Sequence, residues 1–212
     1  MDGPIESIMH NESQLNVARL QDTVIEIIFD NINAVLHGGT AIWRCYNGKR
    51  FSEDIDLYIA KEADIKKITN RIALSELHIV FNRRRRGTIY YDISTNEADI
   101  SLQMRIVKKK GFLVSYEKVN GVKTEIYSLT PEILIEEKIA AYNDRKFIRD
   151  IYDIMLLTKF ISDRSKNAII PTSFLSHIQK PKDESVLKNL VYSGPIPSFE
   201  EMVDYLRRWC AI

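Results

Sequence analysis

The chain has little cysteine, little net charge and no long apolar run. Cys45 and Cys210 are the only cysteines in 212 residues, and they fit neither a zinc motif nor a disulfide framework. Lys and Arg number 30 against 29 Asp and Glu, so any nucleic-acid surface must be local. No apolar run approaches a membrane span, and the acidic start lacks the features of a signal peptide. These absences predict a cytoplasmic protein without a membrane partner.

The residues that are present suffice for an ordered core. Hydrophobic residues make up 45% and charged residues 28% of the chain, as in folded soluble proteins. Strand and helix patterns alternate in the first part, and helical patterns follow. We therefore predict an α/β (α+β) core with a small mixed sheet in residues 1–127 and a helical C-terminal domain in residues 128–212.

The chemistry is concentrated in one segment, VLHGGTAIWRCYNGKRFSEDIDLYI, which covers residues 35–59. Gly38 and Gly39 let the backbone approach a ligand closely. The helix predicted from Thr40 would present its N-terminal N–H groups to a phosphate.

Two aspartates follow this turn in an extended apolar stretch. Asp54 and Asp56 are two positions apart, so in a strand they share one face. Carboxylates this close raise each other's pKa unless a cation neutralises them. A hard divalent ion, Mg²⁺ or Mn²⁺, would bind here together with substrate phosphates. A phosphate-binding turn beside a metal-binding pair predicts nucleotidyl transfer from an NTP.

These residues resemble a known signature. Gly38-Gly39, then residues 40–53, then Asp54 and Asp56 resemble the DNA polymerase β-type nucleotidyltransferase superfamily. The fuller string GGTAI…RFSEDIDLYI resembles its AbiEii-type branch, the toxin half of abortive-infection toxin–antitoxin pairs. The resemblance implies an RNA acceptor, the 3′ end of a tRNA, and an antitoxin partner. It also implies which groups bind the nucleotide in this segment: Gly38, Gly39, Thr40 and Ser52.

Residues 129–157 resemble the second block of the same family. The matching residues are Lys138, Arg145, Arg149, Asp150 and Asp153. The resemblance implies that Lys138 and Arg145 bind the nucleotide, and that Asp150 positions Lys138 or helps to activate the acceptor. The alternative is a structural network of charges that ties two helices together.

A third carboxylate completes the metal site in this superfamily. In the run from 99 to 108, Asp99, Ser101, Gln103 and Arg105 share one face. We predict Asp99 as the third metal ligand, with Asp92 as an alternative. If Gln103 occupies the position instead, the site has one anionic ligand fewer.

Four arginines, 83–86, precede Gly87 between two strand-like runs. This pattern predicts a cationic hairpin loop that binds a phosphate backbone or an acidic partner, or that is merely solvated.

Two other functions remain open at this level. One is a nucleotide-binding protein that lacks transfer activity and acts through a partner. The other is a protein nucleotidylase, which would use a protein hydroxyl as its acceptor.

Overall fold

The computed structural model describes residues 3–161 and 169–211. Residues 1–2, 162–168 and 212, which belong to the two predicted domains, lie outside the described residues. The chain forms two compact units. The first contains Met1–Cys45 and Phe51–Leu129, and the second contains Tyr46–Arg50 and Thr130–Ile212.

In the part of the first unit that the structure describes, there are a mixed sheet and four helices. The strands are β1 Ala34–His37, β2 Ile55–Ile59, β3 His78–Arg85, β4 Thr88–Ser94, β5 Asp99–Ile106, β6 Phe112–Glu117 and β7 Lys123–Ser128. The helices are α1 Ile5–Ile8, α2 Glu12–Phe29, α3 Gly38–Cys45 and α4 Glu62–Ala73.

The second unit is helical, as the sequence predicts. Its helices are α5 Pro131–Arg145, α6 Ile148–Leu157, α7 Thr172–Ser176, α8 Leu187–Leu190 and α9 Phe199–Cys210, with 3₁₀ turns at Thr158–Phe160 and Glu184–Val186. Among the described residues, no helix is both long and apolar enough to cross a membrane.

The strand order is β3-β4-β5-β2-β1-β7-β6. Strand β2 pairs parallel with β5 and antiparallel with β1, and β1 pairs parallel with β7. The predicted mixed sheet is therefore confirmed. Alternate residues of β4 and β5 are buried, among them Ile89, Tyr91, Leu102 and Met104, so one face of these strands packs on the core.

Short sequence signals mark several boundaries of helices and strands. The Asn120-Gly121 dipeptide is a strong signal for a hairpin turn, and it lies between β6 and β7, which pair antiparallel. Ser198 begins α9 with a full capping box, in which its side chain accepts from the backbone N–H of Glu201. The side chain of Asn11 accepts from the backbone N–H of Gln14 at the start of α2.

The arginine run differs from its prediction. Arg83, Arg84 and Arg85 belong to β3, and only Arg86 and Gly87 form the turn. Both turn residues have positive φ, 49° and 81°, which is the geometry of a two-residue hairpin whose twist matches the strands. With such a short turn, the pairing of β3 and β4 continues up to the turn. The predicted loop is therefore wrong, and the side chains of the three arginines in β3 alternate between the two faces of the sheet.

Candidate active site

The glycine turn is the junction between β1 and α3. Strand β1 ends at His37 and the helix begins at Gly38, where φ is +73°. A Cβ added to Gly38 would overlap the side-chain carboxylate of Asp56. Glycine is therefore required at position 38 for two reasons: the positive φ, and the close approach of the Asp56 side chain. The junction places a carboxylate of β2 against the first residue of a helix, whose leading N–H groups have no partner within the helix.

The loop that leads into β2 is fixed by two buried polar side chains. Thr40 is fully buried, and its hydroxyl donates to the backbone carbonyl of Asp54 over 2.5 Å. Gln21 of α2, also fully buried, donates through Nε2 to the carbonyls of Ser52 and Glu53, over 2.8 and 2.9 Å. Both contacts hold the backbone before the aspartates in one position. The Thr40 hydroxyl is therefore bound within the fold, and the nucleotide-binding role predicted for Thr40 stays a prediction.

Sequence reasoning did not identify Gln21. The available signal was a glutamine among the apolar residues of a helix, where a buried amide must find hydrogen-bond partners.

The strand register decides which residues stand beside the aspartates. Asp56 lies opposite His37 of β1 and opposite Gln103 of β5. Residues opposite each other in neighbouring strands share a face of the sheet. The neighbour of Asp56 on β5 is thus a neutral amide.

The two candidate third acids lie nearer the start of β5. Asp99 pairs with Ser94, and Asp92 pairs with Ser101. Asp99 is four residues from Gln103, about 13 Å along the strand. Asp92, Asp99 and Asp54 nevertheless line a common cavity of about 570 Å³ in the first unit. The assignment of Asp99 as a metal ligand stays a prediction.

The donor set suits a hard divalent cation. Within residues 3–161 and 169–211, no group of three or more His, Cys, Asp or Glu side chains could hold a metal ion. Mg²⁺ often binds through only one or two carboxylates and takes its other ligands from substrate phosphates and water. Asp54 and Asp56 supply two carboxylates, and Asp56 lies against the helix start that suits a phosphate. The residues therefore fit a metal that arrives with its nucleotide.

The second block forms a buried ionic network within the helical unit. The Arg50 guanidinium donates from Nε and Nη2 to the two oxygens of Asp153, each over 2.6 Å. Lys138 Nζ lies 2.7 Å from Asp153 and 3.5 Å from Asp150. Arg145 donates to Asp150 over 2.8 and 2.6 Å. Two carboxylates and three cations thus form one chain of contacts, and Arg50 of the first motif takes part in it.

The network favours the ionised form of Asp153. Burial alone would raise the pKa of Asp153, but the Arg50 guanidinium and the Lys138 ammonium outweigh burial and hold that pKa below its ordinary value. The structural network considered from the sequence is therefore present. The roles predicted for Lys138, Arg145 and Asp150 in nucleotide binding and catalysis stay predictions.

The fold and the site together define a class. A glycine junction at a helix N-terminus, against an aspartate of the neighbouring strand, is the arrangement expected of a nucleotidyltransferase. The family model described as nucleotidyl transferase AbiEii toxin, type IV toxin–antitoxin system, matches residues 22–202. The chain belongs to this family, and the protein is a nucleotidyltransferase of the toxin class.

Solved structures support the fold. MenT4, a nucleotidyltransferase toxin from Mycobacterium tuberculosis H37Rv, aligns with a TM-score of 0.66 at 14% identity, covering 94% of this chain and 83% of that protein. JHP933 from Helicobacter pylori aligns with a TM-score of 0.58 at 19% identity, covering 92% and 90% of the two chains. The comparison with curated proteins found no match.

Proposed function

We propose that this protein transfers a nucleoside monophosphate from an NTP to a hydroxyl at the 3′ end of a tRNA. It would act in this way as a cytoplasmic toxin that an antitoxin protein neutralises. The observation that carries the proposal is the contact of the Asp56 side chain with Gly38 at the start of α3. This contact brings a carboxylate close to the backbone N–H donors of the helix start. A nucleoside triphosphate binds through its phosphates to such N–H donors, and its metal ion binds to carboxylates.

In the first unit, one group of residues binds the phosphates and another holds the metal. The N–H groups of Gly38, Gly39 and Thr40 bind phosphate oxygens, and Ser52 adds its hydroxyl. Asp54 and Asp56 would hold Mg²⁺ or Mn²⁺, which, when bound, neutralises charge on the phosphates.

The transfer exchanges one bond for another. The acceptor oxygen bonds to the α-phosphorus, and the bond from this phosphorus to the bridging oxygen of the β-phosphate breaks. Pyrophosphate leaves, and the acceptor proton passes to solvent. Backbone donors that are already fixed in place stabilise the charge that develops on the phosphates.

A second candidate function is supported by one observation. Gln103 lies opposite Asp56 in the register, where an acid would complete a three-carboxylate site. A nucleotide-binding protein that lacks transfer activity and acts through its partner would tolerate this amide.

One assay separates these functions. Each NTP, labelled at the α-phosphate, is incubated with the purified protein, Mg²⁺ and total RNA, and the label is followed into RNA and protein. Label in RNA is the expected result. Label in protein would indicate a protein nucleotidylase, and nucleotide binding without transfer would favour the second candidate.

The metal-site assignment has its own variants. Asp54→Ala and Asp56→Ala are each expected to abolish transfer, whereas Asp204→Ala, an exposed position on α9, is expected to retain it. Transfer at the wild-type rate in both site variants would refute the assignment of the metal site.

A further inference from the structure

The sheet face that carries Asp56 continues toward the β3 edge as a surface of arginines and aromatic rings. The register gives one row across four strands: Asp56 of β2, Gln103 of β5, Tyr90 of β4 and Arg83 of β3. Residues in such a row project from the same face. Three strand spacings separate Asp56 from Arg83, about 14 Å.

The neighbouring rows repeat the pattern. One row runs from Tyr58 through Arg105 and Thr88 to Arg85. On the other side of the central row, Phe81 pairs with Asp92. Rows two residues apart share a face. Tyr58 of this face is buried. Three arginines and two further aromatic residues of the face form what we call the arginine–aromatic face: Phe81, Arg83, Arg85, Tyr90 and Arg105.

Four of these side chains are exposed, and Tyr90 is half-buried. Phe81 is 48% exposed, and all three arginines are exposed. The guanidinium carbon of Arg83 lies 4.6 Å from the ring centroid of Tyr90 and 6.0 Å from that of Phe81. A guanidinium held over an aromatic ring in this way is a fixed donor whose N–H groups suit phosphate oxygens.

Arg84 shows how closely strand alternation controls this surface. It pairs with Ile89, which is buried on the opposite face, and its guanidinium lies 2.6 Å from Glu62 of α4. The same run thus contains two arginines that point to the face of Asp56 and one that is paired with an acid elsewhere.

We propose that the arginine–aromatic face binds a single-stranded segment of the RNA acceptor and leads its end toward Asp54 and Asp56. Single-stranded nucleic acids bind to surfaces on which cations contact the backbone and aromatic rings stack on bases. An acidic protein partner would contact the arginines but would gain less from the exposed Phe81 ring beside them. The inference rests on the proposed function for the identity of the acceptor.

The test measures RNA binding without NTP or metal, so it does not depend on transfer. A fluorescein-labelled single-stranded oligoribonucleotide is titrated with wild-type protein and with Arg83→Ala/Arg85→Ala/Arg105→Ala, and binding is followed by anisotropy at several salt concentrations. We expect the triple variant to bind at least tenfold more weakly. Its slope of log affinity against log salt should fall by about 2, since each single-strand phosphate contact contributes about 0.7.

Two single variants separate charge from stacking. Arg84→Ala removes one arginine charge from the strand of Arg83 and Arg85, but from its opposite face, and should change affinity less than twofold. Phe81→Ala should weaken binding about tenfold without changing the salt slope, because a base–aromatic stack involves no counterion release. Urea unfolding of each variant controls for an altered fold.

The outcomes are distinct. The inference would be overturned if the wild type did not bind RNA, or if the triple variant bound RNA as tightly as the wild type. It would also be overturned if Arg84→Ala lost as much affinity as the triple variant. Displacement of the RNA by polyglutamate as readily as by unlabelled RNA would point to an acidic protein and overturn it as well. If the face binds RNA as described but no label is transferred, the proposed function fails and this inference stands.

Discussion

Two pairs of aspartates in this protein lie in opposite environments. Asp54 and Asp56 are partly exposed, and the neighbour of Asp56 on β5 is the neutral Gln103. Asp150 and Asp153 are at most 1% exposed, and each contacts two cationic side chains within the helical unit.

From this difference we predict different roles for the two pairs. A buried carboxylate whose oxygens are already bound by guanidinium and ammonium groups stabilises the fold as long as its partners remain, and its removal leaves buried cations uncompensated. A partly exposed carboxylate beside a helix N-terminus and a neutral amide can accept a metal and its phosphates. The following predictions test this distinction, from the largest expected effect to the smallest.

Removing the central acid of the helical network should have the largest effect on stability. Asp153→Ala leaves Arg50 and Lys138 buried without this carboxylate, so we expect the free energy of unfolding to fall by about 3–5 kcal/mol. Urea denaturation measures it. Asp144→Ala, on the exposed side of α5, is the matched control and should change it by less than about 0.5 kcal/mol. Equal small effects in both variants would show that the network does not stabilise the unit.

A methyl group at the glycine junction should disable the site. In Gly38→Ala the added Cβ overlaps the Asp56 carboxylate, and we expect transfer to slow by about 10²-fold, the cost of misplacing a reacting group by about 1 Å. Steady-state kinetics with a labelled NTP measures this effect.

Gly87→Ala is the control for backbone strain. Gly87 also has a positive φ, +81°, but an added Cβ there would meet nothing within 4 Å. It should lose about 1 kcal/mol of stability and keep its activity. A similar loss of activity in both variants would mean that strain, and not the overlap with Asp56, is responsible.

The Thr40 hydroxyl should contribute to both stability and activity. Thr40→Val leaves the Asp54 carbonyl without its donor, and we expect a cost of about 1–3 kcal/mol in unfolding free energy together with slower transfer. Thr23→Val, at an exposed position of α2, should be nearly neutral. Unchanged transfer in Thr40→Val would show that this contact does not position Asp54.

The pH dependence of the network gives the smallest effect. The pKa of Asp153 is lowered in the folded state, so its stabilisation is complete above the unfolded pKa, about 3.9. The stabilisation is lost as the pH falls through the lower folded value. The difference in unfolding free energy between wild type and Asp153→Asn should stay constant from about pH 7 to pH 5 and shrink below about pH 4. A difference already lost at pH 5 would contradict the lowered pKa.

The sequence alone indicates those features of the fold that depend on residues close together in the chain. The Asn120-Gly121 turn and the Ser198 cap depend on a few adjacent residues, as does the glycine pair at the start of α3. The family resemblance rested on the same short strings, and the family assignment is confirmed.

The sequence alone did not predict contacts between residues that are far apart in the chain. Arg50 and Asp153 are 103 positions apart in the chain, and nothing near Arg50 indicates its partner. The position of Gln103 opposite Asp56 depends on the parallel register of β2 and β5, which residue alternation alone does not determine. The arginine run continues β3 because the hairpin turn has only two residues, and the run itself does not indicate the length of the turn.

Asp56 is the residue on which the proposed transfer depends most directly. The decisive measurement is transfer of α-phosphate label to RNA by Asp56→Asn, alongside its unfolding free energy. We predict no transferred label and an unfolding free energy within about 0.5 kcal/mol of wild type, as expected for a partly exposed residue. Transfer at the wild-type rate by this folded variant would contradict the account.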